Sequence, residues 1–229
     1  MFRIIVLLTL LHFYQPVFST EDTVSQGVAR YLTRIHKYME DEDWINAKRE
    51  LEVTARRYFK NEDSYERALI NQLYGQFYAL QRDYKNATPW FEKAIAKGRL
   101  PFAADLQVTY SLAQCYFQTG RYQDVIKTLE NYRNKAEKRG QNMAPIQLML
   151  LGIAYYQEQD ILNAYANIAE ANATATKLNE EWLQYEFALA VKLEKYDDAV
   201  RVGQFLIFVN PEKKSYWKQL KFIILNKTL

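Results

Sequence analysis

Residues 74–94 read YGQFYALQRDYKNATPWFEKA, and the spacing of their large and small apolar residues recurs at four other places in the chain. Here Tyr84 is followed by Ala87 three positions later, by Phe91 four further on and by Ala94 three after that. The five sets are Trp44/Ala47/Leu51/Thr54, Tyr84/Ala87/Phe91/Ala94, Tyr122/Val125/Leu129/Tyr132, Ile161/Ala164/Ile168/Ala171 and Tyr196/Ala199/Gly203/Leu206. Their second members lie 40, 38, 39 and 35 positions apart. A period of this length is typical of arrays of helical hairpins.

A second helix is predicted before each of these sets. In the third repeat Leu112, Ala113 and Tyr116 share one helix face, and Gly120 is expected to end that helix and permit a turn. The corresponding residues elsewhere are Ile35 and Tyr38, then Tyr74, Gly75 and Tyr78, then Leu151, Gly152 and Tyr155, and finally Phe187 and Ala190. Small residues at Gly75, Ala113 and Gly152 would allow two helices to cross closely. The sequence therefore predicts an all-α protein built from helical hairpins.

The pattern resembles the tetratricopeptide repeat, whose signature places a Leu-Gly pair, a Tyr three residues later, an Ala nine after that and a Phe four further on. Tyr74-Gly75, Tyr78, Ala87 and Phe91 follow it closely. The resemblance implies a solenoid of about five repeats, at about 28–60, 68–101, 106–139, 145–178 and 180–211, within an array over 21–211. The repeats exceed the usual length of about 34 residues. A C-terminal cap helix and tail are expected over 212–229, with a partner-docking surface as the alternative there. Pro89 is expected to kink or delay its helix.

The N-terminus has a different character. Arg3 precedes a short apolar run, Ile4 to Leu11, and small residues follow at Ser19 and Thr20. This order predicts a secretory signal peptide over 1–20, with a retained anchor as the alternative. The run is shorter than the roughly 20 apolar residues that span a bilayer, so the mature chain is expected to be peripheral to a membrane at most. The predicted location is the periplasm, or the secretory lumen if the source is eukaryotic.

Composition argues against several classes of function. A net charge of +3 with no concentrated basic face does not favour nucleic acid. Beyond the leader the chain has one cysteine, Cys115, and one histidine, His36, placed two repeats apart. Cys115 is expected to be a buried core residue. The acidic run at residues 40–43 lacks the spacing of a calcium loop and is interpreted as a solvated turn. We therefore expect no catalytic residue, no metal site and no cofactor, and the chain is predicted not to be an enzyme.

The tetratricopeptide resemblance implies a concave groove lined by the first helix of each hairpin. The residues it places there are uncharged: Gln72, Gln76, Tyr110, Gln114, Phe117, Met149, Tyr156 and Gln184. Amides can pair with the backbone of an extended peptide, and tyrosines supply rigid contact area. A protein or peptide partner in the envelope is therefore expected. The subclass that grips a peptide carboxylate is disfavoured because its cations are missing. The alternative is that Phe117, Met149 and Ile153 simply pack between neighbouring helices.

A second resemblance concerns the setting. LPFAADLQ at 100–107, YSLAQ at 110–114 and NPEKKSYWKQL at 210–220 are similar to the bacterial tetratricopeptide proteins that accompany TonB–ExbB–ExbD energy-transduction clusters. This similarity implies a periplasmic accessory of outer-membrane uptake, with TonB-system components as partners. The alternatives are a scaffold for secretion, pili or envelope biogenesis, a eukaryotic lumenal co-chaperone, and a cryptic carbohydrate-active enzyme. The sequons at Asn86, Asn172 and Asn226 would matter only in a eukaryotic secretory protein and are interpreted as chance.

Overall fold

The structure is a computed structural model that describes residues 26–58 and 63–227; the predicted signal peptide lies outside these residues. The described residues form eleven α-helices and no β-strand. The helices are α1 (Gln26–Glu40), α2 (Trp44–Tyr58), α3 (Tyr65–Leu80), α4 (Tyr84–Ile95), α5 (Phe102–Gln118), α6 (Tyr122–Glu137), α7 (Pro145–Gln157), α8 (Ile161–Thr174), α9 (Glu180–Lys192), α10 (Tyr196–Val209) and α11 (Lys214–Lys227). The predicted all-α class, built from helical hairpins, is confirmed.

The chain divides into two compact units, Met1–Thr119 and Gly120–Leu229. In unit 1, α1 packs on α2, α2 on α3, α3 on α4 and α4 on α5. In unit 2, α6 packs on α7 and the series continues in chain order to α11. Within each unit, helices thus pack on their sequence neighbours, as expected when no single hairpin can bury its apolar face alone. The boundary between the units lies in the turn between α5 and α6.

Every hairpin turns through one residue with positive φ. These residues are Glu42, Arg82, Gly120, Gln159 and Glu194, with φ between 55° and 73°. Each stands two positions before a second helix, and they repeat with the period of the apolar pattern. In the first turn the N–H of Asp43 donates to the Tyr38 carbonyl over 2.8 Å, the six-to-one bond that closes a Schellman motif. Glycine occupies this position only at Gly120, where the predicted helix break is confirmed.

Three of the second helices begin with the same polar cap. The Asp83 carboxylate accepts a hydrogen bond from the Asn86 backbone N–H over 3.2 Å and another from the Asn86 side-chain amide over 2.7 Å. Asp43 with Asn46 and Asp160 with Asn163 repeat both bonds. An aspartate at this position satisfies a backbone donor that the first turn leaves open, and its charge suits the positive end of the helix. The acidic run at 40–43 therefore includes a helix cap at Asp43.

Glycines in the first helices allow the second helices to approach closely, as predicted. A Cβ built on Gly152 would stand 2.6 Å from the Ile168 Cγ1 atom and 3.1 Å from the Ala164 carbonyl oxygen. The clearance at Gly75 is similarly small, and Ala113 is fully buried. Pro89 does not delay its helix, because α4 begins at Tyr84 and continues through the proline.

Helix α11 covers the last hairpin with one face. Tyr216, Leu220 and Ile223 are buried on that face, and Tyr216 joins a core cluster with Leu183, Val202 and Leu206. A Cβ at Gly203 on α10 would lie 3.1 Å from the Leu220 Cδ1 atom, so the two helices are closely packed. Within the described part of the chain, no helix has both the length and the apolar character to cross a membrane.

Candidate functional site

Helix α5 has one uncharged stripe that is not fully covered. The helix is buried around most of its circumference, and its half-buried positions away from the ends are Gln107, Tyr110 and Phe117. Together with Gln114 they are spaced by three, four and three residues, which places them on one face. We call these four residues the α5 stripe. It contains three of the residues predicted to line the groove.

A similar stripe lies on α3, in the same unit. Leu69 and Gln72 are half-buried, and Gln76 follows four residues later with only a small exposed fraction. These three residues, the α3 stripe, also carry no charge. Gln72 and Gln76 thus share one helix, and Tyr110, Gln114 and Phe117 share another. Unit 1 therefore contains five of the eight predicted groove residues.

Three amide side chains in unit 1 hold a carbonyl oxygen that is buried without a donor. They are the Oδ1 atom of Asn71 and the Oε1 atoms of Gln72 and Gln114, to which no described residue donates a hydrogen bond. Gln114 is only 7% exposed, so its side chain is almost entirely removed from water. An unsatisfied buried acceptor costs about 1–3 kcal/mol. To accept from an incoming donor such as a peptide N–H, the amide of Gln72 or Gln114 must first rotate toward the half-covered stripe on which it lies.

The three predicted groove residues of unit 2 have different surroundings. Met149 on α7 is only 3% exposed and belongs to the core, whereas Tyr156 at the end of the same helix is exposed. The Gln184 amide on α9 donates to the Tyr216 hydroxyl over 2.5 Å and to the Glu180 carboxylate over 3.3 Å. Gln184 thus links α9 to α11. Of the three, Tyr156 alone offers an exposed side chain to a partner.

Gln184 belongs to a polar cluster that fastens α11 to α9. The Tyr216 hydroxyl donates to Glu180 Oε1 over 2.5 Å, and Lys213 Nζ donates to the same oxygen over 2.9 Å. The hydrogen bonds from Tyr216 and Lys213 lower the pKa of Glu180 to about 2. Burial and the hydrogen bond to Glu180 raise the pKa of Tyr216, so its hydroxyl keeps its proton. The cluster stabilises the end of the array.

A buried carboxylate in unit 2 was not predicted from the sequence. Glu186 on α9 is 1% exposed and accepts hydrogen bonds from Arg201 over 2.7 Å and from the Asn172 amide over 2.9 Å. Burial acts to lower the pKa of Arg201, but the hydrogen bond and charge of Glu186 outweigh it and the pKa is raised. Asn172 also donates to the Trp182 carbonyl, so the amide of this sequon is engaged within the fold. Nothing in the local sequence distinguishes Glu186 from a surface glutamate.

Cys115 and His36, the two candidate catalytic side chains of the sequence, lie on different helices, α5 and α1. Burial raises the pKa of the Cys115 thiol to about 12, which keeps it protonated and unreactive. Burial also lowers the pKa of His36, against the opposing charge of Glu40. Within residues 26–58 and 63–227, no group of three His, Cys, Asp or Glu side chains is placed to hold a metal ion. The described residues thus contain neither an activated nucleophile at Cys115 nor a metal centre.

No protein-family model matches the chain, and no curated protein matches it in sequence. Solved structures do match. A tetratricopeptide repeat protein from Parabacteroides merdae is 14% identical, and the match covers 88% of this chain and 73% of that one with a TM-score of 0.62. The chain has the fold of tetratricopeptide repeat proteins. The predicted relation to accessories of TonB clusters stays a prediction.

Two other solved structures share this tetratricopeptide fold. YrrB, described as a tetratricopeptide protein with an unusual peptide-binding site, is 13% identical over 83% of this chain and 90% of its own, with a TM-score of 0.63. PilW, described as a type IV pilus biogenesis factor, is 15% identical over 88% of this chain and 100% of its own, with a TM-score of 0.53. At these identities the likeness is one of fold.

Proposed function

We propose that this protein is a non-enzymatic protein–protein interaction scaffold, and that unit 1 binds an extended segment of a partner protein along the α3 and α5 stripes. The observation that carries the proposal is the pair of buried, unsatisfied amide oxygens of Gln72 and Gln114. A fold selected for stability alone would place apolar side chains there, because replacing an unsatisfied polar group by an apolar one of similar shape is neutral or favourable.

The chemistry of the two stripes defines the partner segment. Gln72, Gln76 and Gln114 offer acceptors and donors that match the alternating N–H and C=O groups of an extended backbone. Tyr110 and Phe117 add aromatic area that costs little conformational entropy to order. Neither stripe contains a cation, so the segment is recognised by its backbone and apolar side chains and not by a terminal carboxylate.

The partner is proposed to be an exported protein. The signal-peptide pattern at 1–20 supports placement in the periplasm, and the similarity of residues 100–114 and 210–220 supports a TonB-type uptake system. A scaffold role in pilus or envelope assembly is the second candidate, because PilW has the same fold. In either setting the role proposed for the chain is to hold proteins together.

The substitution Gln114→Leu distinguishes a role of this amide in partner binding from a purely structural role. Removing an unsatisfied buried amide should raise the free energy of unfolding by about 1 kcal/mol or leave it unchanged. Affinity capture from crosslinked native envelopes should nevertheless recover less partner. Gln118→Leu, at an exposed position on the same helix, is the matched control and should capture normally. Lower stability together with normal capture would contradict the proposal.

The uptake setting has its own test. Crosslinked envelopes should yield a TonB-system component with the wild-type chain and less of it with the Tyr110→Ala variant. A strain that lacks the protein should grow poorly under iron starvation. Recovery of pilus or secretion components instead, with normal growth, would favour the second candidate and leave the scaffold role intact.

A further inference from the structure

Helix α11 carries a second, outward face that its packing on α10 leaves uncovered. Trp217 is 54% exposed and Phe222 is 66% exposed, and Ile224 and Leu225 are also exposed. Surface apolar residues are common singly, but four of them exposed on one helix indicate an interaction surface.

The charges on this face are all positive. Residues 213–227 contain no aspartate or glutamate. Lys214, Lys218 and Lys221 are exposed on α11, and no ion pair to them occurs among the described residues. Lys213 differs from these three because Glu180 neutralises it over 2.9 Å. The outward face therefore combines three unpaired cations with exposed aromatic and aliphatic side chains.

The arrangement along the helix interleaves the two kinds of side chain. Lys214, Lys218, Lys221 and Leu225 follow one another at spacings of four, three and four, so they form one ridge. Phe222 flanks this ridge on one side, and Trp217 flanks it on the other. The indole Nε1 of Trp217 donates to the Pro211 carbonyl over 3.0 Å, which holds the ring near the start of the helix. Aromatic and lysine side chains on one exposed face suit the boundary between lipid headgroups and acyl chains.

We propose that this outward face of α11 binds the surface of an anionic phospholipid bilayer. Cores of protein–protein interfaces are depleted of lysine, which disfavours a protein partner over a ridge built on Lys214, Lys218 and Lys221. An anionic headgroup layer pairs with such cations, while their long stems and the neighbouring apolar side chains occupy the interface. The buried face of α11 stays packed on the protein, so the contact is peripheral and needs no unfolding.

The test uses the full chain and sedimenting vesicles of phosphatidylcholine with about 30 mol% phosphatidylglycerol, against phosphatidylcholine alone. Binding should require the anionic lipid and weaken as salt is raised. Combined Lys214→Gln, Lys218→Gln and Lys221→Gln should lower the partition coefficient by about tenfold or more. The matched control combines Lys127→Gln, Lys138→Gln and Lys192→Gln, which make the same charge change at exposed positions elsewhere in unit 2. It should bind nearly as well as wild type.

A second variant tests the apolar contribution. Combined Phe222→Ser and Ile224→Ser alters two exposed side chains of α11 and should reduce vesicle binding without changing the thermal unfolding temperature. The proposal would be overturned if both triple lysine variants lost vesicle binding equally. It would also be overturned if binding did not depend on phosphatidylglycerol. Vesicle binding that is unchanged in the serine variant while sedimentation equilibrium shows loss of a dimer would overturn it as well, because the face would then cover a second copy of the chain.

Discussion

The ring of Phe91 on α4 lies directly against the backbone of Gly75 on α3. A Cβ at Gly75 would stand 2.5 Å from the Phe91 Cδ1 atom and 2.6 Å from Cε1. Both residues are members of the repeated pattern that predicts the fold. Their contact explains why the pattern pairs a small residue in the first helix with a large one in the second, since the helices cross at a distance that excludes even a methyl group.

Gly75→Ala should therefore destabilise the protein, although alanine alone favours a helix by about 1 kcal/mol. The methyl group must displace the Phe91 ring in a packed core, which costs about 1–3 kcal/mol. Urea unfolding followed by circular dichroism measures the change. Gly203→Ala is the control, since its nearest neighbour is the flexible end of Leu220 at 3.1 Å, and it should cost less. A Gly75→Ala variant that is more stable than wild type would contradict this packing.

Arg201→Ala should destabilise unit 2 by about 3 kcal/mol, because it leaves the buried Glu186 carboxylate without its cation. Adding Glu186→Gln to that variant should recover part of the loss, since the buried charge is then removed. Arg121→Ala breaks a comparable pair with Asp124 that is exposed on both sides, and it should cost less than about 1 kcal/mol. Equal effects of the two arginine substitutions in urea unfolding would mean that Glu186 is not buried as described.

Stability should fall in acid through Glu180. Its pKa is depressed from the ordinary 4.5 to about 2 in the folded protein. The contribution is therefore complete above pH 4.5 and is lost as the pH falls toward 2. Tyr216→Phe removes the strongest hydrogen bond to Glu180, so the urea midpoint of this variant should change less between pH 4.5 and 2 than that of wild type. Glu212→Gln, at an exposed carboxylate in the loop between α10 and α11, should keep the wild-type profile.

Cys115 should resist thiol reagents in the folded protein. With its pKa raised to about 12 by burial, the thiolate fraction is roughly a thousandfold below that of a free cysteine. Labelling with an aromatic disulfide near neutral pH should be slow in buffer and immediate in denaturant. Rapid labelling in buffer would place the thiol at the surface and contradict the packing of α5.

The repeated apolar spacing predicts the helices, and the hairpin turns follow from it without glycine at every turn. Glu42, Arg82 and Gln159 adopt positive φ because the helices on either side fix the turn. The residue types at these positions therefore do not predict the positive φ. The capping pairs were readable in principle, since Asp-x-x-Asn precedes three second helices.

The candidate site was predicted only in part. Helical spacing predicts that Tyr110, Gln114 and Phe117 share one face of a helix. How far each side chain is buried depends on the packing of neighbouring helices against that face, which spacing does not give. The tetratricopeptide resemblance placed Met149 in the groove together with Tyr110, whereas Met149 is in the core. The Glu186 network joins three helices. Its members are too far apart in the sequence for any local pattern to predict that they pair.

Site-specific photocrosslinking at Tyr110 tests the scaffold proposal most directly. A benzophenone side chain placed there in the full chain, in cells that export it, should yield one discrete product with a partner protein. The product should weaken when Gln72→Ala and Gln114→Leu are added, and the same probe at the exposed Lys85 on α4 should not form it. Products from Lys85 but none from Tyr110, or a Tyr110 product that the amide substitutions leave unchanged, would contradict binding along the α3 and α5 stripes.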